Sequence, residues 1–583
     1  MLGGICGSPR SAHSVRQWRK RRERPFRRCN YREYVISNRI RRSRFVVAGM
    51  AWSRSAPSAN HTDMLNVHSG LYQPRLGKAL AVAILGLGLI WILPGRIVSG
   101  DLKDLIFPLA VGAGAIFLIA IVDDWRNGIY FFFIWLVFED LIRKFAGNNM
   151  FIFFAKDAMI GLTYLSMLIA LRRRQLATFK PPFLPWLSIF VFCGLIQVFN
   201  PNTPSVLYGI LGFKLYFYYI PLMFAGYALL RSEADLHKVL MLNMWIALVV
   251  AGLGIAQSVL GLSFLSPTEL SPDLLALGRD IHYSPITHLE VQRGTSVYVS
   301  DGRFAEALVL FYTLGIGTAV YLLLRTKRGR KLVFPTVGVV VLATVMLGVR
   351  HSFIAVLAGT VALVAGMMWG GPPGNQQMFR IAKAIRLAAV FAAIAIVLMI
   401  FLFPDAIAAR WALYAETLSP GSSASELGYR AWDYPMAATR QVFTQPNWQL
   451  GNGLGTASLG VQYVSGLLGV PRPEVGSESG AGSLVVEFGI VGPVLWVLWT
   501  GSLLYCSWKV VRNLRRTPLF PVGFAIFWYA LYILVFESFY GLPAYQNYLA
   551  NAYLWLTIGM LFRMPGLLVE QAAQAPQRNA ISG

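Results

Sequence analysis

Apolar runs recur from residue 80 to the end of the chain, broken by short polar or basic stretches. The first series reads Leu80–Leu93, Leu105–Val122, Ile129–Phe138, Phe151–Leu171, Phe183–Phe199, Val206–Leu230 and Val239–Leu260. A second reads Phe304–Leu324, Leu332–Leu347, Phe353–Trp369, Ile385–Phe403, Leu484–Trp508, Leu519–Leu534 and Tyr548–Phe562. A membrane helix needs ~20 residues to cross the hydrocarbon, so the shorter runs must recruit flanking positions. Lipid offers backbone groups no hydrogen-bond partner, so open-ended spans must be helical. The pattern predicts an all-α, polytopic integral membrane protein of about fourteen transmembrane helices. Ile129–Phe138 is the weakest of them, because Glu139 and Asp140 follow it directly.

Basic clusters lie at Arg172–Arg174, Arg325–Lys331, Arg380–Arg386 and Lys509–Arg516. Counting helices in order puts all of them on the same side as both termini, which the positive-inside rule makes cytoplasmic. The opposite loops are Asn200–Ser205, Gly261–Arg303, Pro404–Ser483 and Glu537–Asn547. The expected organisation is a basic tail over 1–78, eleven helices over 79–403 with an outer loop at 261–303, a large extracytoplasmic loop over 404–483, three helices over 484–563 and a tail over 564–583. The large loop carries Arg410, Arg430 and Arg440 among Trp411, Trp432 and Trp448, which predicts short surface helices lying on the membrane face.

Composition agrees with the pattern: 56% of the residues are hydrophobic and only 14% charged, against ~25% charged in ordinary soluble domains. The net charge of +25 suggests nucleic acid at first sight, but about half the excess sits in residues 1–50, with no base-reading motif. That tail reads as translation assigned too far upstream, with Met50 or Met64 as the start, or as a basic segment touching anionic lipid. No nucleic-acid partner is expected. The tail is not a secretory signal, because no apolar core follows its charges closely. Cys6, Cys29, Cys193 and Cys506 show no Cys-x-x-Cys or Cys/His spacing, so neither a metal site nor a cofactor is expected.

Charges within membrane spans are expensive and are functional candidates by default. Lys156 and Asp157 open the fourth run and read as a mutual pair; Lys214 interrupts the sixth beside Tyr216, Tyr218 and Tyr219. Glu487 lies within the twelfth run, and Glu537 closes the thirteenth. Arg350 and His351 sit in an outer turn too short to require them for solubility. With Arg293, Arg303, Arg410 and Arg430, Arg350 forms a set of guanidinium groups on one membrane face, suited to bidentate contact with phosphate oxygens. Asp123 and Asp124, beside Arg126, read as structural, while Asp101 and Asp104 fall in the first outer loop. No P-loop, HExxH, GxSxG or DxD motif occurs.

The C-terminal third carries YRAWDYPMAATRQVFTQPNWQLGNGLG and SESGAGSLVVEFGIVG. Together with GFKLYFYYIPL at 212–222, DGRFAEALVL at 301–310 and LGVRHSFIAVLAG at 347–359, these stretches resemble the O-antigen ligase and O-antigen polymerase superfamily of bacterial membrane glycosyltransferases. The family's Arg and Trp fall on Arg430 and Trp432, its Pro on Pro446, its glycine turn on Gly451–Gly455, and its E-x-G-x-x-G on Glu487, Gly489 and Gly492. Its His-Asn pair is replaced by Glu478 and Ser479, and its Ser-Arg turn by Val349 and Arg350.

The resemblance implies a GT-C-like helical architecture in the bacterial inner membrane. It also implies metal-independent transfer of a glycan from undecaprenyl pyrophosphate to a sugar hydroxyl in cell-surface polysaccharide or exopolysaccharide synthesis. Arg350 and Arg430 would neutralise the leaving pyrophosphate, with Glu478, or Glu487 behind it, as base. Arg293, Arg303, Lys214, His351 and Arg410 would contact substrate, and other polysaccharide-assembly membrane proteins would be partners. A secondary transporter or lipid-linked glycan flippase is the alternative, weakened by the lack of an internal repeat. A structural subunit of an envelope assembly is a third reading.

Overall fold

The computed structural model describes residues 117–581 and Gly114, apart from 122, 147–149, 174–178, 267–280, 326–327, 372–374, 459–460, 462–463, 466–468 and 541–545. The basic tail, the runs expected at Leu80–Leu93 and Leu105–Val122, and Asp101 and Asp104 lie largely or wholly outside these residues. Each of the other twelve runs is helical.

The first helices in chain order are α1 Trp125–Phe145, α2 Met150–Arg172, α3 Leu184–Val198, α4 Val206–Phe217, α5 Leu222–Leu229 and α6 Glu233–Leu260. Then come α7 Asp301–Arg325, α8 Arg330–Leu347, α9 Arg350–Gly370, α10 Asn375–Leu402, α11 Pro404–Leu418 and α12 Tyr434–Val442. The last are α13 Gly480–Phe488, α14 Val491–Asn513, α15 Phe520–Leu531 and α16 Tyr548–Ile581. Among the described residues nine helical stretches are long and apolar enough to cross a membrane, as a multi-pass membrane protein requires. The pair Ala389–Leu402 and Pro404–Leu418 makes a tenth if taken as one broken span.

The difference from fourteen has identifiable causes besides the undescribed segments. Helix α3 has only 15 residues, or about 22 Å of rise. Helix α1 carries Glu139, Asp140, Arg143 and Lys144 in its second half. The eleventh run is long and apolar enough to cross only as the bent pair with α11; the twelfth breaks at Gly489, whose φ of 71° is left-handed, yet Val491–Asn513 alone remains long enough to cross.

Helix α7 is the axis of the bundle: 89% of its apolar window is buried, and it packs on α6, α8, α9, α15 and α16. Helices α5 and α16 pack with their backbones in near contact. A Cβ at Gly226 would meet the carbonyl of Leu556, and one at Gly559 that of Met223. Small residues at such a seam are what membrane helices use in place of a hydrophobic driving force. The start of α6 is set by Ser232, which forms a capping box with Asp235.

The segment expected as a large loop contains helices α11 and α12. A π-helical turn, Tyr429–Asp433, leads directly into α12. The loop before α7 holds an element the apolar pattern gave no sign of, an antiparallel hairpin pairing Ile281–Tyr283 with Glu290–Gln292. Its turn is fastened to α11 by Glu416, which accepts from the Ile286 and Thr287 amides at 2.7 and 3.1 Å.

Candidate functional site

Two groups of charged side chains meet at the N-terminal end of α7. The first is peripheral. Arg350 begins α9 just after Gly348, whose φ of 73° turns the chain sharply out of α8. Arg430 lies on the π turn. Both guanidinium groups reach one carboxylate oxygen of Glu426, Arg350 at 2.8 Å and Arg430 at 3.1 Å. Partial burial alone would raise the Glu426 carboxyl, but the Arg350 and Arg430 charges outweigh it and hold the group below the usual glutamate range. Arg430 remains well exposed, and its guanidinium lies 5.3 Å from the Tyr434 ring centroid. Trp432 rests against Phe539, with ring centroids 5.6 Å apart.

Arg293 stands beside this pair, its Nη1 3.1 Å from Asp301 and 2.8 Å from Nε2 of His282. Asp301, Arg293 and Arg350 are the charged neighbours of His351. Arg410, grouped with these residues from the sequence, is committed elsewhere. It is buried, and it donates to the carbonyls of Met346, Ala406 and Gln292, joining α8, α11 and the hairpin.

The second group is interior. Lys156 pairs with Glu139 at 2.9 Å, and Asp157 pairs with Lys214 at 2.5 Å. The expected pairing of Lys156 with Asp157 is therefore corrected. Successive helical residues diverge by about 100°, so each reaches a different helix. Arg143 pairs with Asp140 at 3.1 Å, and Arg303 reaches the same carboxylate at 2.8 Å. Lys144 donates to Thr295 and to the Ser296 carbonyl. Tyr548 is the common floor: Lys156 lies 4.5 Å, Lys214 5.7 Å and Arg303 5.8 Å from its ring centroid. Among the described residues Arg143, Lys156, Lys214 and Arg303 face Glu139, Asp140 and Asp157, so cations outnumber carboxylates in these pairs. Lys214 also faces Phe154, a ring on the exposed side of α2.

The two carboxylates expected as base differ sharply. Glu478 is exposed just before α13. Glu487 is fully buried: it accepts from the Tyr216 hydroxyl at 2.6 Å and from the Gly455 and Ala457 amides at 3.1 and 3.2 Å. Gly451, Gly453 and Gly455 have φ of 86°, 92° and 80°, so the Gly451–Gly455 turn is a chain of left-handed positions. Gln197, Asn200 and Thr203 clamp the turn by donating to the Leu450, Gly451 and Asn452 carbonyls. Glu487 thus braces a knot of backbone between α4 and α13.

Asp124, expected to be structural, caps α1 by accepting from the Arg126 amide at 3.0 Å. Glu426 was missed, although it precedes Arg430 by four residues. Glu139 and Asp140 had counted against a span, while their i,i+4 and i,i+3 relation to Arg143 was the signal that they are paired within the helix.

Among the described residues no three His, Cys, Asp or Glu side chains converge to hold a metal. No protein-family model matches the chain, and a search of the curated proteins finds no match either.

Proposed function

We propose that this protein is a membrane glycosyltransferase that moves a glycan from a polyprenyl-pyrophosphate donor, undecaprenyl pyrophosphate in a bacterial inner membrane, to a hydroxyl of another sugar. The observation that carries the reading is the convergence of Arg350 and Arg430, eighty positions apart in sequence, on a single oxygen of Glu426, with Arg293 alongside. Two guanidinium forks on one oxygen form a site that a phosphate oxygen can take over. In such a transfer the acceptor oxygen bonds to the anomeric carbon while the carbon–oxygen bond to pyrophosphate breaks. The electron pair leaves on the pyrophosphate, and neutralising it is the main electrostatic demand. Arg303 and Lys214 would add positive charge on the interior side. Both termini would be cytoplasmic, and the Pro404–Ser483 segment would cover the acceptor on the outer face.

The test is transfer by the purified full chain in nanodiscs, using an undecaprenyl-pyrophosphate-linked oligosaccharide and a fluorescent sugar acceptor. Arg350→Ala and Arg430→Ala should each slow transfer by about 10²–10³. Arg350→Lys should recover only part of this, because an ammonium keeps the charge without the planar fork. Transfer by both Ala variants at the wild-type rate refutes the reading.

A lipid-linked glycan flippase or secondary transporter is the second reading, favoured by the interior pairs Lys156–Glu139 and Lys214–Asp157. Intramembrane ion pairs of this kind mark transport pathways as well as enzyme sites. Movement of the same donor across proteoliposomes, without transfer, would support it.

A further inference from the structure

Helix α7 places a carboxylate one turn beyond Arg303. Glu306 stands at i,i+3 from Arg303, so the two share a face of the helix. Both are half-buried, while the residues between and after them are buried. Glu306 accepts from the Asn547 amide, and its carboxyl meets that of Glu537, which ends the π-helical segment Tyr532–Glu537. Glu537 lies behind Glu306, only 4% exposed, and its Oε2 has no hydrogen-bond partner. The hydroxyls of Tyr298 and Tyr529, buried in the same region, have none either. Buried polar atoms are nearly always paired, so unpartnered ones together mark a place for water or for hydroxyl groups. The next turn, Ser538–Tyr540, carries Phe539 against Trp432 of the π turn that holds Arg430. The carboxyl pair is therefore at the same end of the bundle as the arginines.

We infer that Glu306 is the catalytic residue that takes the proton from the incoming sugar hydroxyl, with Glu537 as the positioning residue that holds it. The inference rests on the glycosyltransferase reading and supplies the base that reading lacks. Two carboxyls in contact in a low-dielectric interior cannot both be ionised. Asn547 donates to Glu306, which marks Glu306 as the acceptor, and one proton shared between the carboxyls then makes Glu537 the donor toward it. Arg303, on the same face, stands on the pyrophosphate side of the anomeric carbon, and Glu306 on the hydroxyl side. As the new carbon–oxygen bond forms, the hydroxyl proton passes to Glu306 and then to water. The electron pair of the broken bond stays with the pyrophosphate. Glu478, exposed ahead of α13, has no part in this step.

The substitutions are nearly isosteric and their outcomes are asymmetric. Glu306→Gln removes the base and should lower kcat by about 10²–10⁴ with the donor KM unchanged. Glu537→Gln keeps a donor toward Glu306, since an amide replaces the carboxylic O–H, and should remain within about tenfold of wild type. Glu537→Ala removes that donor and should lower kcat further, again without moving KM. Glu306→Asp retains a carboxylate one methylene short and should recover part of the activity lost in Glu306→Gln, which separates loss of the base from a folding defect. A Glu306→Gln variant that transfers normally overturns the assignment while leaving the glycosyltransferase reading intact. A wild-type chain that transfers nothing from the undecaprenyl-pyrophosphate donor overturns that reading, and the assignment falls with it.

Discussion

Glu426 occupies the two guanidinium groups that the proposed function assigns to the donor pyrophosphate, so on that proposal replacing it by Gln should tighten donor binding rather than weaken it. Its pairs with Arg350 and Arg430 are partly open to solvent, with side-chain exposures of 31%, 24% and 59% for Glu426, Arg350 and Arg430. Pairs of that exposure contribute 0.2–1 kcal/mol each, so the two together amount to about 1 kcal/mol. A phosphate that displaces Glu426 must overcome this competition. Removing it should tighten donor binding by about fivefold.

The pH dependence has a definite sign. The two arginines lower the Glu426 carboxyl below its ordinary value, about 4.3 in an unfolded chain. The stability contributed by the pairs is complete above that value and is lost as pH falls through the lowered one. The affinity gap between wild type and Glu426→Gln should therefore be full at neutral pH and close in the acid range, where wild-type Glu426 is itself protonated. Equilibrium binding of a fluorescent undecaprenyl-pyrophosphate analogue to protein in nanodiscs, titrated at several pH values, measures both effects. Weaker binding by Glu426→Gln at neutral pH, or a gap that does not change with pH, would mean that Glu426 shapes the site rather than occupying it.

Reporter fusions after Ser300 and Gly421 should read as extracytoplasmic, and those after Arg325 and Arg515 as cytoplasmic; a cytoplasmic signal at Gly421 would put the arginines on the wrong face. Glu487→Ala should destabilise the protein by about 1–3 kcal/mol, because it leaves the Gly455 and Ala457 amides without their acceptor, and this should register as reduced resistance to unfolding in detergent. If Glu487→Ala instead leaves stability unchanged and stops transfer alone, the bracing role assigned to Glu487 is wrong.

Helices were legible wherever a long apolar run was enough to define them, and ambiguous wherever charge or glycine intervened. Ile129–Phe138 looked weak because Glu139 and Asp140 were weighed as unpaired charges. Arg143, one turn away, was the local signal that they are paired; their other partners, Lys156 on α2 and Arg303 on α7, are distant in sequence, and no local pattern reveals those. The same limit applied to Lys156 and Asp157, where adjacency suggested a pair that helical geometry forbids. Tyr218–Pro221 interrupts the sixth run and Gly489 the twelfth, and in both the breaking residue was visible while its effect on a continuous apolar run was not. Of the five arginines grouped from the sequence, Arg350 and Arg430 share Glu426 with Arg293 alongside, whereas Arg303 belongs to the interior group. Which of them is structural was not legible: Arg410 is spent on three carbonyls supplied by three separate elements.

The elements that carry the candidate groups divide them into a fixed part and a movable part. Asp301, Arg303 and Glu306 occupy the first two turns of α7, so their spacing is set by the helix, and α7 is the most enclosed span among the described residues. Asp301 orients Arg293, Arg303 is anchored on Asp140, and Glu306 is held by Asn547 and Glu537. Arg350 and Arg430 depend instead on separate elements, and Arg430 on a five-residue π turn with most of its side chain in solvent. A rigid helix can hold a base and a cation in reacting geometry at little cost on binding, whereas an exposed turn can follow a bulky lipid-linked donor in and out. On the proposed mechanism, substitutions along the first turns of α7 should act mainly on kcat. Those that loosen the π turn, such as Trp432→Ala, which removes its contact with Phe539, should raise the donor KM as well. Equal effects of both kinds on kcat alone would mean that the turn is as fixed as the helix and that donor capture lies elsewhere.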